Sequence, residues 1–182
     1  MSLYFLESIE MNNQPIRWIE NVSWDDVKNG WHSDMGDNAM LIQIADPATF
    51  FPDPKKPFKE IYQFEFLDIE DPDVKNDPAM GEFAITDEQA QQLVDLLQRA
   101  LDNSMNVLVH CFAGVCRSGA VCEVGVMMGF DDTEVFRSPN LLVKHKMMKY
   151  LGWTYDENEP HTINGVTLDS GLIVPKDYEG DI

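Results

Sequence analysis

Basic side chains are scarce in this chain. Of 182 residues, 13 are Lys or Arg and 32 are Asp or Glu, for a formal net charge of −19. A surface this negative argues against nonspecific attachment to nucleic acid or anionic membrane, because both are polyanions. Long apolar runs are also missing: none reaches the roughly 18–20 residues that span a bilayer. Met1 to Glu7 lack the basic region and apolar stretch of a signal peptide. A cytoplasmic, monomeric protein is expected. Cysteine is confined to Cys111, Cys116 and Cys122, a cluster unlike the framework of a secreted disulfide protein. His32 and Asp34 are too few to suggest a metal site, so neither metal nor cofactor is expected.

What is present suffices for a core. The chain is 44% hydrophobic and holds 10 Phe, 5 Tyr and 4 Trp. Its length suits one domain, read as residues 1–152, followed by an acidic extension over 153–182. The charge is uneven. Residues 1–110 carry 21 acids and 7 bases, 153–182 carry 7 and 1, but 111–152 carry 4 and 5. The segment that escapes the acidic bias contains every cysteine.

Short apolar runs at 3–6 and 39–45 predict buried strands, and alternation over 61–66 predicts another. Ser23 to Val27 reads as a capped helix start ending near Gly30. The prolines between Asp46 and Pro57 predict a loop, as do the acids and prolines from Asp68 to about Glu82. Thr86-Asp87-Glu88-Gln89 has the spacing of a capping box, and Ala90, Leu93, Val94, Leu97 and Leu101 recur with helical period. That helix should end near Asn103. A fully apolar strand is expected at 106–110, a buried helix from Ser118 to Met128, and a last helix capped by Ser138 that stops at Gly152. Strands alternating with helices indicate an α/β fold: a central mixed, mostly parallel sheet flanked by helices.

The chemistry is concentrated in Val107 to Gly119, where a buried strand enters a tight loop that opens a helix. Successive N–H groups of such a loop form an anion nest, and the helix dipole adds positive potential. Phe112, Ala113, Gly114, Val115 and Cys116 would supply the nest. Arg117 brings a planar fork that matches two phosphate oxygens. The same field favours the thiolate of Cys111, the nucleophilic form, and the Ser118 hydroxyl can donate to that sulfur.

His110-Cys111, five residues, then Arg117-Ser118-Gly119 resembles the signature of the cysteine-dependent protein tyrosine phosphatases. The Ala113-Gly114 pair inside the loop strengthens that match, and the chain length with a signature well beyond the midpoint resembles the compact dual-specificity branch. Thr86 to Ala90 and the Asn140-x-x-Val143 helix are similar to small bacterial and phage members. The resemblance covers about residues 39–151. It implies attack by Cys111 on phosphorus, a phosphocysteine intermediate, and an Asp that protonates the leaving oxygen and then activates water. Two registers fit that Asp: Phe64-x-Phe66-x-Asp68 and Leu67-x-Ile69-x-Asp71. Asp68 is preferred, Asp71 stays open, and Asp73 is an outside candidate. His110 is expected to orient the loop. The basic face of Lys144, His145, Lys146 and Lys149 reads as a solvated surface.

Cys116 gives the loop a Cys-x4-Cys-Arg-Ser spacing that resembles the low-molecular-weight tyrosine phosphatases. That likeness implies a redox role, a reversible Cys111–Cys116 disulfide, alongside the plainer reading of a filled small-residue slot. The implied substrate is a phosphorylated protein or peptide, phosphotyrosine foremost, with phosphoserine and phosphothreonine open. Two other readings compete. One is a phosphate-binding module without turnover. The other is a rhodanese-like sulfur transferase, which the full Cys111-to-Arg117 spacing disfavours.

Overall fold

The computed structural model describes residues 17–155 and three short strand segments beyond them. The elements run β1 (Trp18–Val22), α1 (Trp24–Asn29), β2 (Ala39–Ala45), β3 (Glu60–Glu65), α2 (Asp71–Asn76), a 3-10 turn (Pro78–Phe83), α3 (Asp87–Asp102), β4 (Asn106–His110), α4 (Arg117–Met128), β5 (Asp131–Asp132) and α5 (Leu141–Tyr150). Strands β6 (Thr154–Tyr155) and β9 (Leu172–Ile173) pair antiparallel, as do β7 (His161–Ile163) and β8 (Val166–Leu168). The strand expected at 3–6, and most of the 153–182 extension, lie outside the described residues.

The main sheet has five strands in the order β3-β2-β4-β1-β5, and every pairing within it is parallel. Parallel strands covered on both faces read as continuous apolar runs, and β2 is buried at all seven positions. Its side chains alternate between two cores. Met40, Ile42 and Ile44 face the larger one with Val107 and Val109, while Ala39 and Leu41 face a smaller one with Leu108 and Val27. Helix α3 puts Ala90, Leu93, Val94, Leu97 and Leu101 on the larger core. Its start is the expected capping box: Gln89 N donates to Thr86 Oγ1 at 3.1 Å and Thr86 N donates to Gln89 Oε1 at 3.0 Å.

Three local expectations are corrected. The acidic stretch after Asp68 is not all loop. Glu70 N donates to Asp73 Oδ2 at 2.9 Å, a proline lies inside the first turn, and this starts α2. Helix α5 starts two residues later than expected. Its cap is Asn140, whose Oδ1 accepts from Val143 N at 2.9 Å, and not Ser138, whose N–H donates to Val115 O. The third is β1, which pairs with both β4 and β5 and was not anticipated. Its Glu20 and Asn21 interrupt the apolar pattern, yet both are buried.

The strand order places the C-terminal ends of β1, β2 and β4 side by side. In open parallel sheets this edge is where ligands bind. Asp46 follows β2, Cys111 follows β4, Ser23 follows β1, and Asp68 lies three residues beyond β3.

Candidate active site

The loop from Cys111 to Cys116 is shaped by tethers on its carbonyls. Phe112 O accepts from Trp24 N at 3.2 Å, Val115 O from Ser138 N at 3.3 Å, and Cys116 O from Asn140 N at 3.0 Å. Gly114 O accepts from the buried Asn21 side chain at 2.7 Å. In a planar trans peptide the N–H lies opposite the carbonyl. Holding these carbonyls outward therefore turns the N–H groups of Ala113, Val115, Cys116 and Arg117 to the other side. Gly114 has φ +73°, and a Cβ there would sit 2.3 Å from the Val22 backbone carbon. Only glycine allows the loop to lie this close to the end of β1.

Cys111 is 2% exposed, and its Sγ lies 3.2 Å from Ser118 Oγ. Arg117 is also buried. One of its nitrogens, Nη1, donates to Asp46 Oδ1 at 2.7 Å and to Phe66 O at 2.6 Å. Its Nε is buried with no hydrogen-bond partner. A buried guanidinium donor left unpaired is costly, and an anion in front of it removes the cost. A cavity of about 350 Å³ is lined by Cys111, Phe112, Ala113, Cys116, Arg117, Asp46 and Asp68, with Leu67, Ile69 and Met80 as its apolar wall.

Asp68 is held at this cavity from behind. The buried Asn140 amide donates to Asp68 Oδ1 at 2.8 Å and to Ile69 O at 3.0 Å. Glu70 accepts from the first N–H groups of α5, Leu141 at 3.1 Å and Leu142 at 3.4 Å. Burial raises the Glu70 carboxyl above its ordinary range, and these two donors partly offset that. The Cys116 thiol is pushed up as well, first by burial and then by the Asp68 carboxylate it bonds to. His110 is fully buried, and burial pulls its imidazole down to about 4, so it is neutral near pH 7.

No family model matches the sequence, and no curated protein matches it. Among solved structures, one match is the human tyrosine phosphatase-like serine/threonine/tyrosine-interacting protein. It has a TM-score of 0.50 and 15% identity, covering 74% of this chain and 91% of that one. Another is OH1 of the Orf virus, described as a tyrosine phosphatase with triple substrate specificity. It has a TM-score of 0.40 and 20% identity, covering 61% of this chain and 56% of that one. The fold is of the tyrosine phosphatase type.

Within this phosphatase fold, Cys111, Phe112, Ala113, Cys116, Arg117 and Asp68 meet at one cavity. Gly114 and Val115 shape its loop from behind through their carbonyls. Asp71 does not line the cavity. It opens α2, and its carboxylate lies 3.7 Å from His145 Nδ1. Asp73 is spent on its own helix cap. Lys144 pairs with Glu123 and Lys146 with Asp87, so much of the basic face of α5 is occupied by surface acids. His32 and Asp34 line a separate small cavity. Among the described residues, no group of three or more His, Cys, Asp or Glu is placed to hold a metal, and no helix is long and apolar enough to cross a membrane.

Sequence reasoning missed Asp46, Asn140 and Asn21 as parts of the site. Asp46 carried a usable signal: it is the first residue past a buried parallel strand, at the edge where ligands bind. Asn140 and Asn21 act across 72 and 93 residues of sequence, and local pattern does not reach that far.

Proposed function

We propose that this chain is a phosphoprotein phosphatase that works through a phosphocysteine on Cys111. The observation that carries the reading is one cavity lined by Cys111, Asp68 and a buried Arg117 whose Nε has no protein partner. Nη1 is already committed to Asp46 and Phe66 O, so the fork is fixed in orientation before substrate arrives.

In this reading the phosphoryl oxygens take the loop N–H groups and the free edge of Arg117. These donors stabilise the charge that spreads over the oxygens in the transition state. The Cys111 thiolate attacks phosphorus, the S–P bond forms, and the P–O bond to the substrate breaks. Asp68 delivers its proton to the departing oxygen. The resulting carboxylate then takes a proton from water as that water attacks phosphorus. The S–P bond breaks, phosphate leaves, and the Ser118 hydroxyl donates to the restored thiolate. Asp68 is assigned as the acid over Asp71 because it lines the cavity.

The surrounding acidic surface gives the substrate dianion no long-range attraction, so recognition rests on short-range donors. This favours phosphate borne on protein, phosphotyrosine foremost, over polyphosphorylated lipid or RNA ends. The catalytic unit is residues 1–152. The test is hydrolysis of p-nitrophenyl phosphate with vanadate inhibition. A wild type as inactive as Cys111→Ser overturns the reading. If that inactive wild type still binds phosphotyrosine peptide, the chain is a phosphate-binding module instead.

A further inference from the structure

Beside the phosphate cavity lies a second one of about 300 Å³. Trp24 from α1, Ile44 and Ala45 from β2, Phe50 from the β2–β3 loop and Phe112 from the signature loop form it. The two cavities share Asp46 and Phe112 as a common wall. Phe50 is 90% exposed and Phe112 is 76% exposed. Two large aromatic rings left in water at the mouth of one groove mark a surface built to be covered.

The groove is already ordered. Trp24 N donates to Phe112 O at 3.2 Å and so fastens the signature loop, while its Nε1 makes only a long contact, 3.5 Å, with Phe50 O. Thr49 closes a turn onto Asp46 O through its N–H and its hydroxyl, and the buried Gln43 side chain holds Pro52 O at 2.8 Å. A loop fixed this way loses little entropy when a guest enters. The lining includes no Lys or Arg, and its one charged residue, Asp46, has Oδ1 committed to Arg117. Lys28 lies over the Trp24 ring, 4.9 Å from its centroid, and does not line the groove. A second phosphate would therefore find no cationic partner inside, whereas an apolar side chain would find aromatic walls.

We infer that this groove is a specificity subsite that takes an aromatic or large aliphatic side chain next to the phosphorylated residue of a polypeptide substrate. The inference rests on the phosphatase reading above and adds to it the class of peptide preferred. Since the cavities share a wall, the guest residue stands within about two positions of the phosphorylated one, at roughly 3.3–3.6 Å of extended chain per residue.

The test uses phosphotyrosine peptides carrying Phe at each position from −2 to +2 in turn, against a parent with Ser at all four. Each kcat/KM is divided by the same enzyme's rate on p-nitrophenyl phosphate. One Phe peptide should exceed the parent by about tenfold or more, the usual span of a single apolar pocket. In Phe50→Ser, an exposed change that leaves the core intact, that preference should fall to near unity. Equal rates in the wild type, or a preference that survives Phe50→Ser, overturns the subsite and leaves the phosphatase reading standing. If the wild type does not hydrolyse p-nitrophenyl phosphate, the phosphatase reading fails, and the same Phe-to-Ser ratio is read from dissociation constants. A dimer in sedimentation that Phe50→Ser dissolves, with no peptide preference, assigns the groove to a second copy of this chain and likewise overturns the proposal.

Discussion

The guanidinium of Arg117 is gripped from one side by the carboxylate of Asp46, 2.7 Å away and 71 residues earlier. The grip uses only Nη1, so Asp46 orients the fork without blocking its other edge. Arg117 is buried while Asp46 is 47% exposed, and solvent screening keeps the pair's net worth modest. Asp46→Ala should lower kcat/KM by about tenfold, mostly through KM, because the fork loses its fixed direction. Asp46→Asn keeps an acceptor oxygen and should recover most of that loss. Steady-state kinetics on p-nitrophenyl phosphate checks both. Equal losses in the two variants would assign the effect to charge and not to orientation.

Asn140 joins three parts of the site: it caps α5, its N–H holds the signature loop at Cys116 O, and its amide holds Asp68. If Asp68 is the acid, Asp68→Asn should cut kcat by about 10²–10⁴-fold on a poor leaving group and remove the basic limb of the pH–rate profile. Asp71→Asn should keep that limb. Asn140→Ala should lower kcat more than it changes KM, since the acid loses its direction while the phosphate donors stay. It should also cost about 1 kcal/mol of stability as a lost cap. A basic limb lost in Asp71→Asn and kept in Asp68→Asn reverses the assignment.

These relationships show where the sequence was readable. Strand β2 is seven buried residues in a row, and α3 announces itself through Thr86, Gln89 and its apolar period; both appear where expected. The signature loop is legible because strand, glycine, arginine and helix start are contiguous. Strand β1 hid because Glu20 and Asn21 are buried for polar tasks. Glu20 accepts from Ser33 N, and Asn21 holds Gly114 O and Phe136 O. The start of α5 was misplaced because Ser138 and Pro139 make a plausible local cap, while Asn140 takes the position by also bonding to Asp68 and Ile69, which are distant in sequence. Local rules weigh neighbours along the chain, and the partners of these asparagines come from the strand order.

Cys111 and Cys116 are both free thiols lining the same cavity. Peroxide should convert the Cys111 thiolate to a sulfenic acid. The Cys116 sulfur then attacks it, an S–S bond forms and water leaves. Burial and the Asp68 carboxylate raise the Cys116 thiol, so it is protonated near neutral pH and closure should speed up as pH rises. After brief peroxide, dithiothreitol should restore nearly all wild-type activity, and the intact mass before reduction should show two hydrogens lost. Cys116→Ser should recover much less, because the Cys111 sulfenic acid, with no neighbouring thiol to trap it, oxidises further. Equal recovery in the two proteins sinks the redox role and leaves Cys116 as a donor to Asp68.

His110 ties stability to pH. Burial lowers its imidazole from 6.5 to about 4, so between those values the unfolded chain binds a proton that the folded protein does not. The stability linked to this group is therefore fully present above pH 6.5 and is lost as pH falls through that window toward 4. The difference corresponds to about 3 kcal/mol when complete. His110→Gln keeps a side chain of similar reach that does not titrate. Wild type should lose denaturant midpoint steeply between about pH 7 and about pH 4.5, and His110→Gln should lose distinctly less over the same interval. The variant should also start lower at neutral pH, because the imidazole fills a fully buried site next to Cys111. Parallel pH dependences in the two proteins would show that the acid sensitivity comes from the carboxylates and not from His110.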